Sequence, residues 1–218
     1  MKKFFVALTM LAIFLTSSLA FAAFEDSVEE GADVTVVKKL AVAMPDYYKV
    51  EDTEPDVHEF MRNVYNTGRI SSTREIVSYD DVAAAIRRDT GIDIRALEKL
   101  EAEKVYKKHI SRYADAYVVA TIANSSKHPQ MFFYVYNANT SELMYTYTLQ
   151  SRIIGKRTKD YNKGAEDFFK QFDKIIAQNL SKDDRKKLKE KQKEVRKRKL
   201  NKINYKTGKS KADLVKKK

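Results

Sequence analysis

Three histidines, two carboxylate pairs, a set of tyrosines and a run of lysines and arginines are the residues whose types and spacing bear on chemistry. No two of His58, His109 and His128 lie four residues apart, and none stands beside a second donor at zinc spacing. Glu29-Glu30 falls in an acidic N-terminal segment. Asp80-Asp81 opens a predicted helix, where acids complement the helix dipole, so capping explains that pair. The chain has no G-x-S-x-G, P-loop or G-x-G-x-x-G pattern. With six glycines in 218 residues it has little material for a phosphate cradle. Cysteine is absent, which removes disulfides, thiol nucleophiles, cysteine-based metal sites and a lipid-bearing N-terminal cysteine together. The expectation is a non-enzymatic protein with no catalytic residues, no metal ligands and no cofactor.

The aromatic residues admit two readings. Tyr47, Tyr48, Tyr134, Tyr136, Tyr145 and Tyr147 could line a surface groove for a glycan or peptide, since tyrosine suits interfaces. Alternatively, a chain without tryptophan fills its core and half-buried sheet positions with Phe and Tyr.

The charge is unevenly distributed. The formal total is +12, yet residues 181–218 hold eighteen basic residues against five acidic ones. Residues 23–180 hold 22 basic against 25 acidic, so the body is mildly acidic and the tail carries the positive excess. Such asymmetry marks an interaction tail and a boundary near Leu180. Ser181-Lys182-Asp183-Asp184 has the form of a capping box. Leu188, Val195 and Leu200 are too few for an apolar face, so the tail is expected to be disordered or a solvated helix. One reading makes it a solubilising appendage. The other makes Arg196, Lys197, Arg198 and Lys199 part of an electrostatic attachment to an anionic surface. With Tyr205 the tail's only aromatic, sequence-specific nucleic-acid recognition is not expected.

At the other end, Lys2 and Lys3 precede an uncharged apolar run, and Ala20-Phe21-Ala22 has the small-x-small form of a signal-peptidase site. Cleavage after Ala22 is expected, giving an exported protein of the periplasm or extracellular envelope. An uncleaved anchor is the alternative, because residues 4–24 are just long enough to span a bilayer. No second run of that length follows.

These segments need a body to position them. Residues 24–32 read as mobile, 34–44 as a strand and 46–55 as a loop. Val57, Phe60, Met61, Val64 and Tyr65 recur at helical spacing, and Gly68 is expected to close that helix. A strand at 74–79 leads to a helix capped by Ser78 or Asp80. Residues 95–113 read as helical with Leu97, Leu100, Tyr106, Ile110 and Tyr113 inward, and the spacing slips at 101–104. A buried strand at 116–123 precedes a hairpin of strands 131–136 and 143–150 with a five-residue loop. Ala165, Phe168, Phe169, Phe172, Ile175 and Ile176 form one stripe of a final amphipathic helix. The fold class is α/β, a small mixed sheet flanked by helices, ending in the hairpin, the amphipathic helix and the basic tail.

Four stretches resemble a group of bacterial envelope domains. They are Leu40-Ala41-Val42-Ala43-Met44-Pro45, Glu75-Ile76-Val77-Ser78, Ala114-Asp115-Ala116-Tyr117-Val118-Val119 and the turn Asn137-Ala138-Asn139-Thr140-Ser141. The group comprises the curli-secretion lipoprotein, the lipoprotein activators of penicillin-binding proteins and the amino-terminal domain of TolB, and the resemblance covers residues 35–180. The chain departs from the pattern in having no lipid-anchoring cysteine, Ala114 where the group has glycine, and Ser141 in place of the turn glycine. It also lacks pore-forming hairpins. The resemblance therefore implies an envelope interaction module for a protein or envelope partner rather than a secretion pore, with the tail as its attachment device. A polyanion binder working through the tail alone is the alternative.

Overall fold

The computed structural model describes residues 24–48, 56–123, 130–150 and 157–207. The segment expected to be a cleaved leader, and His128, lie outside the described residues. Among the described residues no helix is long and apolar enough to cross a membrane.

The chain forms a mixed seven-stranded sheet: β1 (Phe24–Val28), β2 (Lys39–Val42), β3 (Asp46–Tyr48), β4 (Glu75–Val77), β5 (Ala116–Ala123), β6 (Gln130–Asn137) and β7 (Leu143–Gln150). The order is β1-β7-β6-β5-β2-β4, and β3 also pairs with β5. The pairs β2–β4, β2–β5 and β3–β5 are parallel. The pairs β1–β7, β5–β6 and β6–β7 are antiparallel. Helices α1 (Val57–Ser71), α2 (Tyr79–Thr90), α3 (Lys99–His109), α4 (Arg157–Asn179) and α5 (Lys182–Thr207) complete the domain.

Strand alternation gives the sheet two unlike faces. On one, Phe133, Tyr145 and Tyr147 meet α4, with Phe168 stacked 4.5 Å from Phe133 and Phe172 5.2 Å from Tyr145. Phe168, Phe169, Phe172 and Ile176 are fully buried, as the stripe predicts. On the other face α2 and α3 bring Tyr79 and Tyr106 against Tyr117 of β5. Ser78, rather than Asp80, caps α2 by accepting from the Asp81 amide at 2.9 Å, and Gly91 ends it at φ +77°.

Five local expectations are corrected. Residues 24–28 are an edge strand on β7, held by the ladder and by Ser27 Oγ 2.9 Å from Thr146 Oγ1. An acid-rich strand is accommodated there because its side chains stay exposed at the edge. The strand read over 34–44 is a 3-10 turn (Val34–Val36) followed by β2. After Ala43, whose amide still donates to the Val118 carbonyl at 2.9 Å, the chain leaves β5 at 44–45, where Pro45 has no N–H to give, and rejoins it as β3, so Tyr47 and Tyr48 lie on a strand. Gly68 lies inside α1, where a Cβ would stand 2.5 Å from a ring carbon of Phe169; it permits close packing of α1 on α4. The helical break falls at Leu97-Glu98, which leaves Leu100 exposed and turns Ala102 inward.

Residues of the stretches that carry the resemblance hold the sheet's central joint. Asp115 Oδ2 accepts from the amides of Lys38 and Lys39 at 2.9 and 2.8 Å. Its carbonyl accepts from Ala138 at 3.0 Å, so one aspartate ties the start of β2 to β5 and to the hairpin loop. In that loop, now residues 138–142, Asn137 Oδ1 accepts from the amides of Asn139 and Thr140. Ser141 sits at φ +58°, in the left-handed region where the pattern places glycine.

Candidate functional site

Helix α5 begins as its capping box predicts. Ser181 Oγ accepts from the Asp184 amide and donates to Asp184 Oδ2 at 2.7 Å, which holds that carboxyl below its ordinary range. Leu188 and Val195, seven residues apart, are both buried. Of the three apolar residues expected to be too few for a face, these two are buried and Leu200 is exposed, on a helix otherwise almost wholly solvated. Two residues suffice because polar anchors flank them. Arg198 donates to the Arg69 carbonyl at 2.5 Å and to that of Ser72 at 3.5 Å, and Lys199 pairs with Glu166 at 2.6 Å. Arg185 folds back onto the carbonyls of Leu180 and Gln178, each at 2.9 Å.

The four basic residues singled out from the sequence therefore divide. Arg198 and Lys199 are engaged with the body, whereas Arg196 and Lys197 are exposed and without a partner among the described residues. At about 100° per residue, Lys186, Lys189, Lys193 and Lys197 form one stripe on the side of α5 away from Leu188 and Val195. Lys193 pairs with Glu190 at 2.7 Å. The others in the stripe have no partner among the described residues, and neighbouring Arg196 adds to the stripe's positive edge.

The six tyrosines divide as well. Tyr145 and Tyr147 are core residues, so they are not part of any surface groove. Burial raises both phenols well above their ordinary range, and the Tyr145 hydroxyl donates to Asp26 at 3.2 Å. Tyr48 is 60% exposed and meets Phe132 edge-on, with ring centroids 6.5 Å apart. Phe132 in turn stacks on Tyr134 at 6.4 Å. Tyr136 is half-buried and stacks on Tyr117 at 5.3 Å. Tyr47 is half-buried on β3. Phe132, absent from the expected set, belongs to this outer patch; its alternation with Phe133 along β6 is the signal that places it there.

One buried ion pair was not anticipated. Asp173 accepts from the Thr73 amide at 2.7 Å and lies 3.4 Å from Arg74 Nε, both side chains being over nine-tenths buried. Burial outweighs these partners and raises the Asp173 carboxyl. Arg74 also donates to the Val37 carbonyl at 2.9 Å. The pair joins α4 to the approach to β4 and to the turn before β2. A lone aspartate between Phe172 and Ile176 on an apolar stripe was its signal. His58 is exposed on α1 and His109 is buried at the end of α3.

No family model and no curated protein matches the chain. Among solved structures it is similar to the PelC dodecamer from Paraburkholderia phytofirmans, at 9% identity and a TM-score of 0.44, covering 67% of this chain and 94% of that one. It is similar to the LpoB C-terminal domain from Escherichia coli, at 14% identity and a TM-score of 0.39, covering 56% of this chain and 88% of that one. TolB from Acinetobacter baumannii is similar at 9% identity and a TM-score of 0.33, covering 69% of this chain and 31% of that one. Of these, TolB is named in the group that the residue pattern resembles.

Proposed function

We propose that the protein is an exported, non-enzymatic envelope interaction module that attaches to anionic surfaces through α5. The observation that carries this reading is the division of the tail's cations. Leu188, Val195 and Arg198 fix one side of the helix to the body, while Lys186, Lys189 and Lys197 stand exposed on the other. A fixed row of charges meets a surface without first ordering a disordered chain, so less attraction is lost to entropy. Each basic residue near an anionic membrane contributes about 1 kcal/mol, falling off within a Debye length. The Tyr48-Phe132-Tyr134 patch on the sheet is the surface offered to a protein partner.

The test is cosedimentation of the mature protein with phosphatidylglycerol-containing vesicles over rising salt. Retention is expected at low ionic strength and release as salt screens the row. Replacing Lys186, Lys189, Lys193 and Lys197 with Gln should abolish retention while leaving the melting temperature near native. If the fourfold variant sediments like the parent, the row is not the attachment device.

A further inference from the structure

A cleft of about 480 Å³ opens where the chain lifts off the sheet between β2 and β3. Its position follows from topology. From β2 the chain turns to β4 on one side and returns as β5 on the other, so the carboxyl end of β2 is a switch point of the parallel part of the sheet. Crevices at such points are where open α/β sheets bind ligands. The volume lies within the range of small-molecule sites.

The walls state what would fit. Met61, Ile94, Leu97, Ala102 and Val119 make the lining largely apolar. Tyr106 lies between Tyr79, stacked 5.7 Å away, and Tyr117, edge-on at 5.9 Å. It is 4% exposed, and its hydroxyl is buried without a partner among the described residues. A buried phenol is a donor in need of an acceptor. Three carboxylates, of Asp46, Asp80 and Glu103, stand against three cations, Arg95, Lys99 and Lys107, with His58 beside them. Lys99 pairs with Asp46, and Lys107 with Glu103 at 2.6 Å. Arg95 is engaged by Asp93, its Nε and Nη2 donating at 2.9 and 3.0 Å, so all three cations are already paired and an anionic guest would have to break a pair.

We infer that this cleft binds a small, uncharged, largely apolar molecule carrying one hydrogen-bond acceptor, which takes the proton of the Tyr106 hydroxyl in a hydrogen bond. Nothing in the tail's attachment depends on it.

The probe is 6-propionyl-2-dimethylaminonaphthalene, an uncharged naphthyl ketone whose emission reports both polarity and hydrogen bonding at the carbonyl. Titrated against the full-length protein, it should bind saturably at one per chain with blue-shifted emission. Val119→Phe, which fills the cleft from a strand that favours aromatics, should weaken binding at least tenfold. Ala102→Phe serves the same purpose from α3 if the first variant does not fold by circular dichroism. Tyr106→Phe should weaken the ketone roughly fivefold and leave 2-dimethylaminonaphthalene, which lacks the carbonyl, unchanged. An anionic naphthalene sulfonate should bind at least tenfold more weakly than the ketone. Non-saturable binding, or full affinity in a folded cleft-filling variant, overturns the site. Equal loss of both neutral dyes in Tyr106→Phe overturns the role of the hydroxyl. A sulfonate that binds as tightly as the ketone overturns the assignment to uncharged ligands.

Discussion

Arg198 of the basic helix donates from Nη1 to the carbonyl of Arg69, 129 residues earlier in the chain. The last carbonyls of any α-helix lack partners within the helix, and a cation there also complements its dipole. The guanidinium answers both needs at the end of α1. It thereby converts a charged segment with few apolar residues into a docked helix.

Removal of residues 181–218 should therefore lower the melting temperature without abolishing the cooperative transition, because the main core lies within the body. Arg198→Ala alone should cost about 1 kcal/mol, the worth of a typical hydrogen bond. Differential scanning calorimetry of the three proteins checks this. A truncated protein that melts with the parent would mean that α5 does not dock.

Gly68→Ala should destabilise by about 1–3 kcal/mol, as overpacking does, because the new methyl would meet the Phe169 ring. Phe172→Ala, which empties a fully buried site, should cost about 3–5 kcal/mol. Urea denaturation gives both values. If Gly68→Ala raised stability through helix propensity, the close approach of α1 and α4 would be wrong.

Ser141→Gly should stabilise the hairpin by about 1 kcal/mol, since a non-glycine residue in the left-handed region carries that strain and Ser141 stands at φ +58°. Ser141→Val should be worse than the parent. Equal melting temperatures for all three would show the turn to be unstrained.

His109 is buried, and its Nδ1 has no partner among the described residues. Burial, followed by Arg112 and Lys108, lowers its pKa. A histidine whose folded value lies below its unfolded value of about 6.5 favours folding in its neutral form. Its contribution is present above that pH and is lost as pH falls through the folded value. Stability should thus decline from pH 7.5 towards pH 5, and His109→Gln should flatten that decline. The same slope in both proteins would assign the acid sensitivity elsewhere.

The sequence by itself determined what depends on near neighbours. An apolar run places β5, the hairpin pattern places β6 and β7, and the period of 3.6 places the Phe168–Phe172 face of α4, because these signals lie within each element's own residues. The cap at Ser181, a helix start at Ser78 or Asp80, and the separation of a basic tail from an acidic body are equally local. Only the tertiary structure decided relations between distant segments. Phe24–Val28 became a strand because β7, 119 residues on, offered an open edge to pair with. Gly68 had to be small because Phe169 arrives from another helix. Tyr145 and Tyr134 look alike in sequence, yet α4 covers the face that buries the first and leaves the second half-exposed. Leu188 and Val195 gained a buried face because α1 and α4 supplied anchors for Arg198 and Lys199. Burial on a shared surface belongs to both partners, so neither segment alone encodes it.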